Sequence, residues 1–134
     1  MPSPVPGWLS PSWSLEHEVP LIHQLDVGVM PLPYGLLTRG KCAYKLIQCM
    51  VCGIPVVASR VGANVDAVPP ECGFLVELPD QWLEVFHRLA SNADLSYRMG
   101  GAARHFVEDH FSLTAALPVL TDVIKRSVAP KANR

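Results

Sequence analysis

The chain has 134 residues, 49% of them hydrophobic, and a formal net charge of −1; its mean hydropathy is +0.22. That is apolar material enough for one packed domain. The near-neutral balance gives no reason to expect nucleic acid as a partner, and no apolar run approaches the roughly 20 residues of a membrane-spanning helix.

Residues 1–12 carry four prolines and read as an irregular arm. The opening MPSPVPGWLSPSW has no basic segment followed by an apolar stretch, so it does not read as a secretory signal, and a cytoplasmic placement is the default. Ser14 is a cap for a helix from Leu15 to Leu25, with Leu15, Val19, Ile22 and Leu25 at helical spacing despite Pro20. Asp26–Pro33, DVGVMPLP, is apolar on both faces, which suits a strand covered on both sides. Tyr34–Gly40 reads as a loop, Lys41–Cys52 as a helix and Ile54–Ser59 as a second, valine-rich buried strand.

Arg60–Pro70 is a loop with one helical turn near Asn64, and Gly73–Glu77 a third short strand. Pro79 opens a helix to about Ala90 with Trp82, Val85, Phe86 and Leu89 on its apolar face. Asp94 is the expected cap of a helix to about Asp109, with Leu95, Met99, Ala102, Ala103 and Phe106 inward. A last helix begins at Ser112 or Leu113 and runs to about Arg126, with Pro118 inside it, before a polar, frayed tail over 128–134. Strands alternating with helices predict an α/β fold with a parallel sheet. Three strands are few for an open parallel sheet, so residues 13–127 read as a partial domain.

The four cysteines, Cys42, Cys49, Cys52 and Cys72, contain one C-x-x-C pair. A metal or redox site needs a second close pair or histidines at ligand spacing. The pair also sits at a helix end rather than a helix start, where a thiolate is stabilised. Small reduced thiols are therefore the better reading, with no metal and no cofactor.

The segment Gly40–Ser59, GKCAYKLIQCMVCGIPVVAS, carries the chemistry. A helix start leaves its first N–H groups unpaired and partly positive, and a preceding glycine lets a ligand approach the backbone. The N–H groups of Cys42, Ala43 and Tyr44 would then point at an anion, with Lys41, Lys45 and Gln48 as a polar stripe beside them. The same pattern also suits a solvated lysine face behind an ordinary loop glycine, and no P-loop or G-x-G-x-x-G motif decides between them.

From Trp13 to about Ser112 the motifs resemble the C-terminal part of the family-four retaining nucleotide-sugar glycosyltransferases. The matching pieces are PSWS before a helix containing Glu18, then DVGVMPLP, then RGKCAYKLIQCMVCGIPVVASRVGANVDAV, then GFLV and RMGGAARHFVEDHFSL. The resemblance implies the C-terminal, nucleotide-sugar-binding domain of a GT-B enzyme: a partial Rossmann-like parallel sheet flanked by helices, whose N-terminal, acceptor-binding domain lies outside this chain. It implies a nucleotide-diphosphate sugar as partner, a glycan or lipid-linked glycan as acceptor, a metal-independent reaction and a place at the inner membrane face.

Carried over by position, the Gly40–Tyr44 turn meets the donor diphosphate and Lys45 lies near the phosphates or sugar. Gln48 stands where many members have a ribose-binding glutamate, and Gly40 where a donor-sugar glutamate is common. The sequence departs from the pattern at both. Gly62 and Asn64 belong to a second donor-side loop, with an ordinary turn as the equal alternative, and Asp66 stands where an acidic residue is usual. The arginine and lysine that members place early in this domain would precede Trp13, and Arg39 is at most a partial substitute, so no catalytic residue is assigned. Two readings follow: a fragment of a sugar transferase working with a separate N-terminal domain, or a non-catalytic nucleotide-sugar-binding remnant, as from a truncated reading frame.

Overall fold

The computed structural model describes residues 11–128. The expected arm falls mostly, and the expected tail almost wholly, outside them. The elements in chain order are α1 (Leu15–Ile22), β1 (Gly28–Met30), α2 (Leu36–Arg39), α3 (Tyr44–Val51), β2 (Val56–Ser59), α4 (Asn64–Ala67), β3 (Gly73–Val76), α5 (Pro79–Ala90), α6 (Ala93–Phe111) and α7 (Leu113–Val128). The strands form one parallel sheet in the order β1-β2-β3, in register Gly28↔Val56 and Val56↔Gly73.

All four residues of β2 are buried, as its valine run requires of a central strand covered on both faces. Alternate side chains leave a strand on opposite faces, and the core divides accordingly. Val56 and Ala58 pack with Leu46 and Met50 of α3 and Ala103 and Val107 of α6. Val57 packs on the other face with Val76, Val85, Leu89 and Met99. Two glycines permit close approach at these contacts. A Cβ added at Gly73 would overlap the carbonyl oxygen of Val56, and one at Gly100 that of Gly53.

The structure corrects the sequence reading at several elements. β1 spans three residues instead of Asp26–Pro33, because Pro31 and Pro33 have no N–H to continue a ladder. It is an edge strand, and Val29 is 49% exposed, so the described residues do not cover it on both sides as expected. The expected Tyr34–Gly40 loop contains the helical turn α2, in which Thr38 Oγ1 donates to the Pro33 and Gly35 carbonyls at 2.7 and 2.9 Å. The cap of α6 is Asn92, not Asp94: Asn92 Oδ1 accepts from the Leu95 N–H at 2.9 Å, and Asp94 falls in the first turn. α1 stops at Ile22 and buries no residue, as does α7.

Candidate functional site

In an open parallel sheet a ligand crevice lies outside the carboxyl ends of the strands. Here the chain leaves β1 at Met30, passes through Pro31–Pro33 and the turn α2, and returns to the same end of the strand before starting α3. Between the strand end and the returning segment lies a cavity of ≈ 590 Å³. Val29, Met30, Pro31 and Leu32 form one wall, and Gly40, Lys41, Cys42, Tyr44 and Lys45 the other.

The helix that borders this cavity starts later than Lys41. The first helical residue of α3 is Tyr44, with Ala43 as its cap. The Lys41 N–H is used by the Thr38 carbonyl at 3.3 Å, which holds Gly40 and Lys41 to the end of α2. Lys41 and Lys45 are therefore not neighbours on one helix face; they come together because the segment folds back along the cavity wall. The Leu46 and Ile47 N–H groups both donate to the Ala43 carbonyl, at 2.9 and 3.1 Å. No hydrogen bond among the described residues uses the N–H groups of Cys42, Ala43, Tyr44 or Lys45, so the start of α3 keeps its donors free. Neither Lys41 nor Lys45 forms an ion pair among the described residues, and no carboxylate lines the cavity. The wall is thus cationic, with the partial positive charge of a helix start added to it.

The other candidate residues lie elsewhere. Gln48 is not in the cavity lining; its Nε2 donates to Glu18 Oε1 at 2.7 Å and ties α3 to α1. Gly62 has φ +54°, and a Cβ there would stand 2.9 Å from the Arg39 carbonyl oxygen, so the second loop packs on the segment leading into Gly40. Asn64 is 1% exposed and donates from Nδ2 to the Ser59 carbonyl at 3.0 Å. Ala43 is buried and offers the site only its backbone. Sequence reasoning missed the wall contributed by β1. The proline-bounded run after Met30 was its signal, since a strand that must stop there leaves its end open.

Of the cysteines, Cys42 is exposed at the cavity, whereas Cys72 is buried. Burial pushes the Cys49 and Cys52 thiols up, and it pushes that of Cys72 to about 11 with help from the neighbouring Glu71 carboxylate.

Residues 7–92, more than half of the chain, match the family described as glycosyl transferases group 1. The chain belongs to that family. No curated protein matches it. Among solved structures, a sucrose-phosphate synthase from Thermosynechococcus elongatus is similar at 24% identity and a TM-score of 0.65, over 81% of this chain and 27% of that one. HepE from Anabaena, in complex with UDP, is similar at 17% identity and a TM-score of 0.63, over 79% of this chain and 29% of that one. The same protein with UDP-glucose gives 17% and 0.63, over 81% and 30%. These likenesses show the fold: the three-stranded parallel sheet and its helices correspond to part of a GT-B glycosyltransferase. This group 1 glycosyl transferase chain spans under a third of the length of the structures it matches.

Proposed function

We propose that the chain is the donor-binding portion of a sugar transferase, and that the cavity beside Gly40–Lys45 takes the diphosphate of a nucleotide sugar. The observation that carries this reading is the cavity wall itself. Two lysines with no acidic partner, and a run of N–H groups with no acceptor, among the described residues face an opening at the carboxyl end of β1. A diphosphate satisfies both, since oriented backbone N–H groups and fixed cations favour a multiply charged anion. HepE, with the same fold, is known in complex with UDP and with UDP-glucose, which supports a nucleotide-diphosphate sugar as the ligand here.

In the reaction the bond between the anomeric carbon and the diphosphate breaks, an acceptor hydroxyl forms the new bond and loses its proton, and the nucleoside diphosphate leaves with the electron pair. The wall at Lys41 and Lys45 would stabilise the charge that builds on that leaving group. The acceptor, a glycan or lipid-linked glycan, belongs to a separate N-terminal domain. Three features support such a partner: the edge of β1 that has no strand neighbour among the described residues, the apolar face of α1 with Leu15 and Val19 exposed, and α7, which buries no residue. No helix among the described residues is long and apolar enough to cross a membrane, so a place at the inner membrane face would rest on peripheral contact.

Calorimetric titration of the chain with UDP and UDP-glucose tests the reading. Binding that weakens about tenfold in Lys45→Ala, the loss of one charge-assisted contact, is the expected result, without turnover of the donor by this chain alone. UDP affinity unchanged in both Lys41→Ala and Lys45→Ala would remove the cavity from the donor site.

A further inference from the structure

A second cavity, of ≈ 470 Å³, opens on the same edge of the sheet. It shares Pro31 and Leu32 with the first and is lined from the carboxyl ends of all three strands or just past them. Its lining is of a different kind. Tyr34 comes from the segment after β1, Ser59 from the end of β2, Glu77 from just past β3, and Trp82 from the first turns of α5. Among the described residues its lining holds no lysine or arginine, and its one charged side chain is the Glu77 carboxylate, paired with Arg60, so it lacks the cationic wall of the first cavity.

These groups are held in place before any ligand arrives. The Tyr34 hydroxyl donates to the Arg60 carbonyl at 2.9 Å and pins the ring across the strand ends, although its face remains exposed. Ser59 Oγ accepts from the Leu32 N–H at 2.8 Å, and no described hydrogen bond uses its own proton. Glu77 Oε1 stands 3.1 Å from Arg60 Nε in an exposed ion pair. Trp82 is half-buried and packs its other side on Phe86, with ring centroids 5.9 Å apart. The cavity therefore presents two aromatic surfaces, one fixed hydroxyl donor and one carboxylate acceptor.

From this lining we infer that the cavity binds a neutral sugar ring. A pyranose has an apolar face of C–H groups that covers an aromatic surface, and a rim of hydroxyls that donate to a carboxylate and accept from a hydroxyl. The volume falls within the range of small-molecule sites, roughly 300–1,000 Å³. The charge contrast across Pro31 and Leu32 separates the two sites by chemistry: phosphate on the lysine side, neutral hydroxyls on the Glu77 side. The inference stands on this lining alone and does not depend on donor binding beside Lys45.

The test is an NMR titration of the full chain with maltose, cellobiose and methyl mannoside, and separately with UDP and UDP-glucose. At least one sugar is expected to shift the Trp82 indole together with the Ser59 and Glu77 amides. That response should weaken about tenfold in Trp82→Ala, as for loss of an aromatic contact, survive in Trp82→Phe, and fall likewise in the surface variants Glu77→Gln and Tyr34→Ala. UDP should leave these resonances unmoved. Shifts by free sugars assign the cavity to a glycan, and shifts by UDP-glucose but not UDP assign it to the donor's own sugar. Absence of any sugar response at Trp82, or a response unchanged in Trp82→Ala, Glu77→Gln and Tyr34→Ala, overturns the inference. UDP binding at Lys41 and Lys45 is read from separate resonances in the same spectra, so failure of one site leaves the other measurable.

Discussion

Gly62 rests on Arg39: its backbone has φ +54°, and a Cβ at that position would lie 2.9 Å from the Arg39 carbonyl oxygen and 3.1 Å from the Arg39 Cα. The loop after β2 thereby supports the segment that delivers Gly40, Lys41 and Cys42 to the cavity wall. Gly62→Ala meets both a left-handed backbone and a backbone neighbour that cannot rotate away. The expected cost is about 1–3 kcal/mol, read as a lower urea midpoint, with weaker UDP binding as the wall shifts. A midpoint unchanged within about 0.5 kcal/mol would show that the loop yields freely.

Gln48 and Glu18, 30 residues apart in the sequence, share a 2.7 Å hydrogen bond. Gln48→Glu, the change that the family pattern would suggest, replaces the donor with a second carboxylate. The bond is lost and two carboxylates are left facing each other. The variant should be about 1–2 kcal/mol less stable than the parent at neutral pH. Urea unfolding checks this; stability equal to that of the parent would mean that the side chains separate.

Much of this architecture is legible in the sequence because it is set locally. Trp82, Val85 and Leu89 mark the inner face of α5 by spacing alone, Pro79 marks its start, and the valines of β2 mark a strand buried on both faces. The family was legible too, through the order of its motifs. What could not be read depends on partners distant in the chain. Lys41 and Cys42 are acceptable helix residues, and only the bond from the Lys41 N–H to Thr38 shows that α3 has not yet begun. Val29 has the composition of a covered strand residue, but its exposure is decided by the absence of a neighbouring strand among the described residues. The bond from Gln48 to Glu18 has no local signature.

Gly100 and Gly101 are adjacent in α6 and should respond oppositely to alanine. A Cβ at Gly100 would overlap the Gly53 carbonyl oxygen, whereas one at Gly101 meets nothing within 4 Å. Gly100→Ala pushes α6 off the turn after α3 and should cost about 3 kcal/mol, as overpacking against rigid backbone does. Gly101→Ala gains helix propensity on an exposed face, about 0.5–1 kcal/mol. Thermal unfolding of the two variants separates them; similar effects from both would contradict the close contact at Gly53.

Cys72 links stability to alkaline pH. Its thiol is raised from 9.0 to about 11, first by burial and then by the Glu71 carboxylate. The folded state therefore favours the neutral thiol. That contribution is intact below the unfolded pKa near 9 and is lost as the pH rises through the folded value near 11. Stability should fall across this interval more steeply in the parent chain than in Cys72→Ala. Parallel curves for the two would exclude Cys72 as the titrating group.

Cys42 offers a reading of the donor cavity that requires no substitution. It is exposed and lines the cavity beside Lys41, whereas burial raises the thiols of Cys49, Cys52 and Cys72. Alkylation proceeds through the thiolate and requires access, so limiting iodoacetamide should label Cys42 first, as followed by peptide mass spectrometry. A diphosphate held by the Cys42–Lys45 N–H groups covers that sulfur. UDP should therefore slow labelling of Cys42 severalfold at saturation and leave the slower labelling of Cys49 and Cys52 unchanged. Slowing at all the cysteines alike would indicate global stabilisation instead, and no slowing at Cys42 would place the diphosphate away from the start of α3.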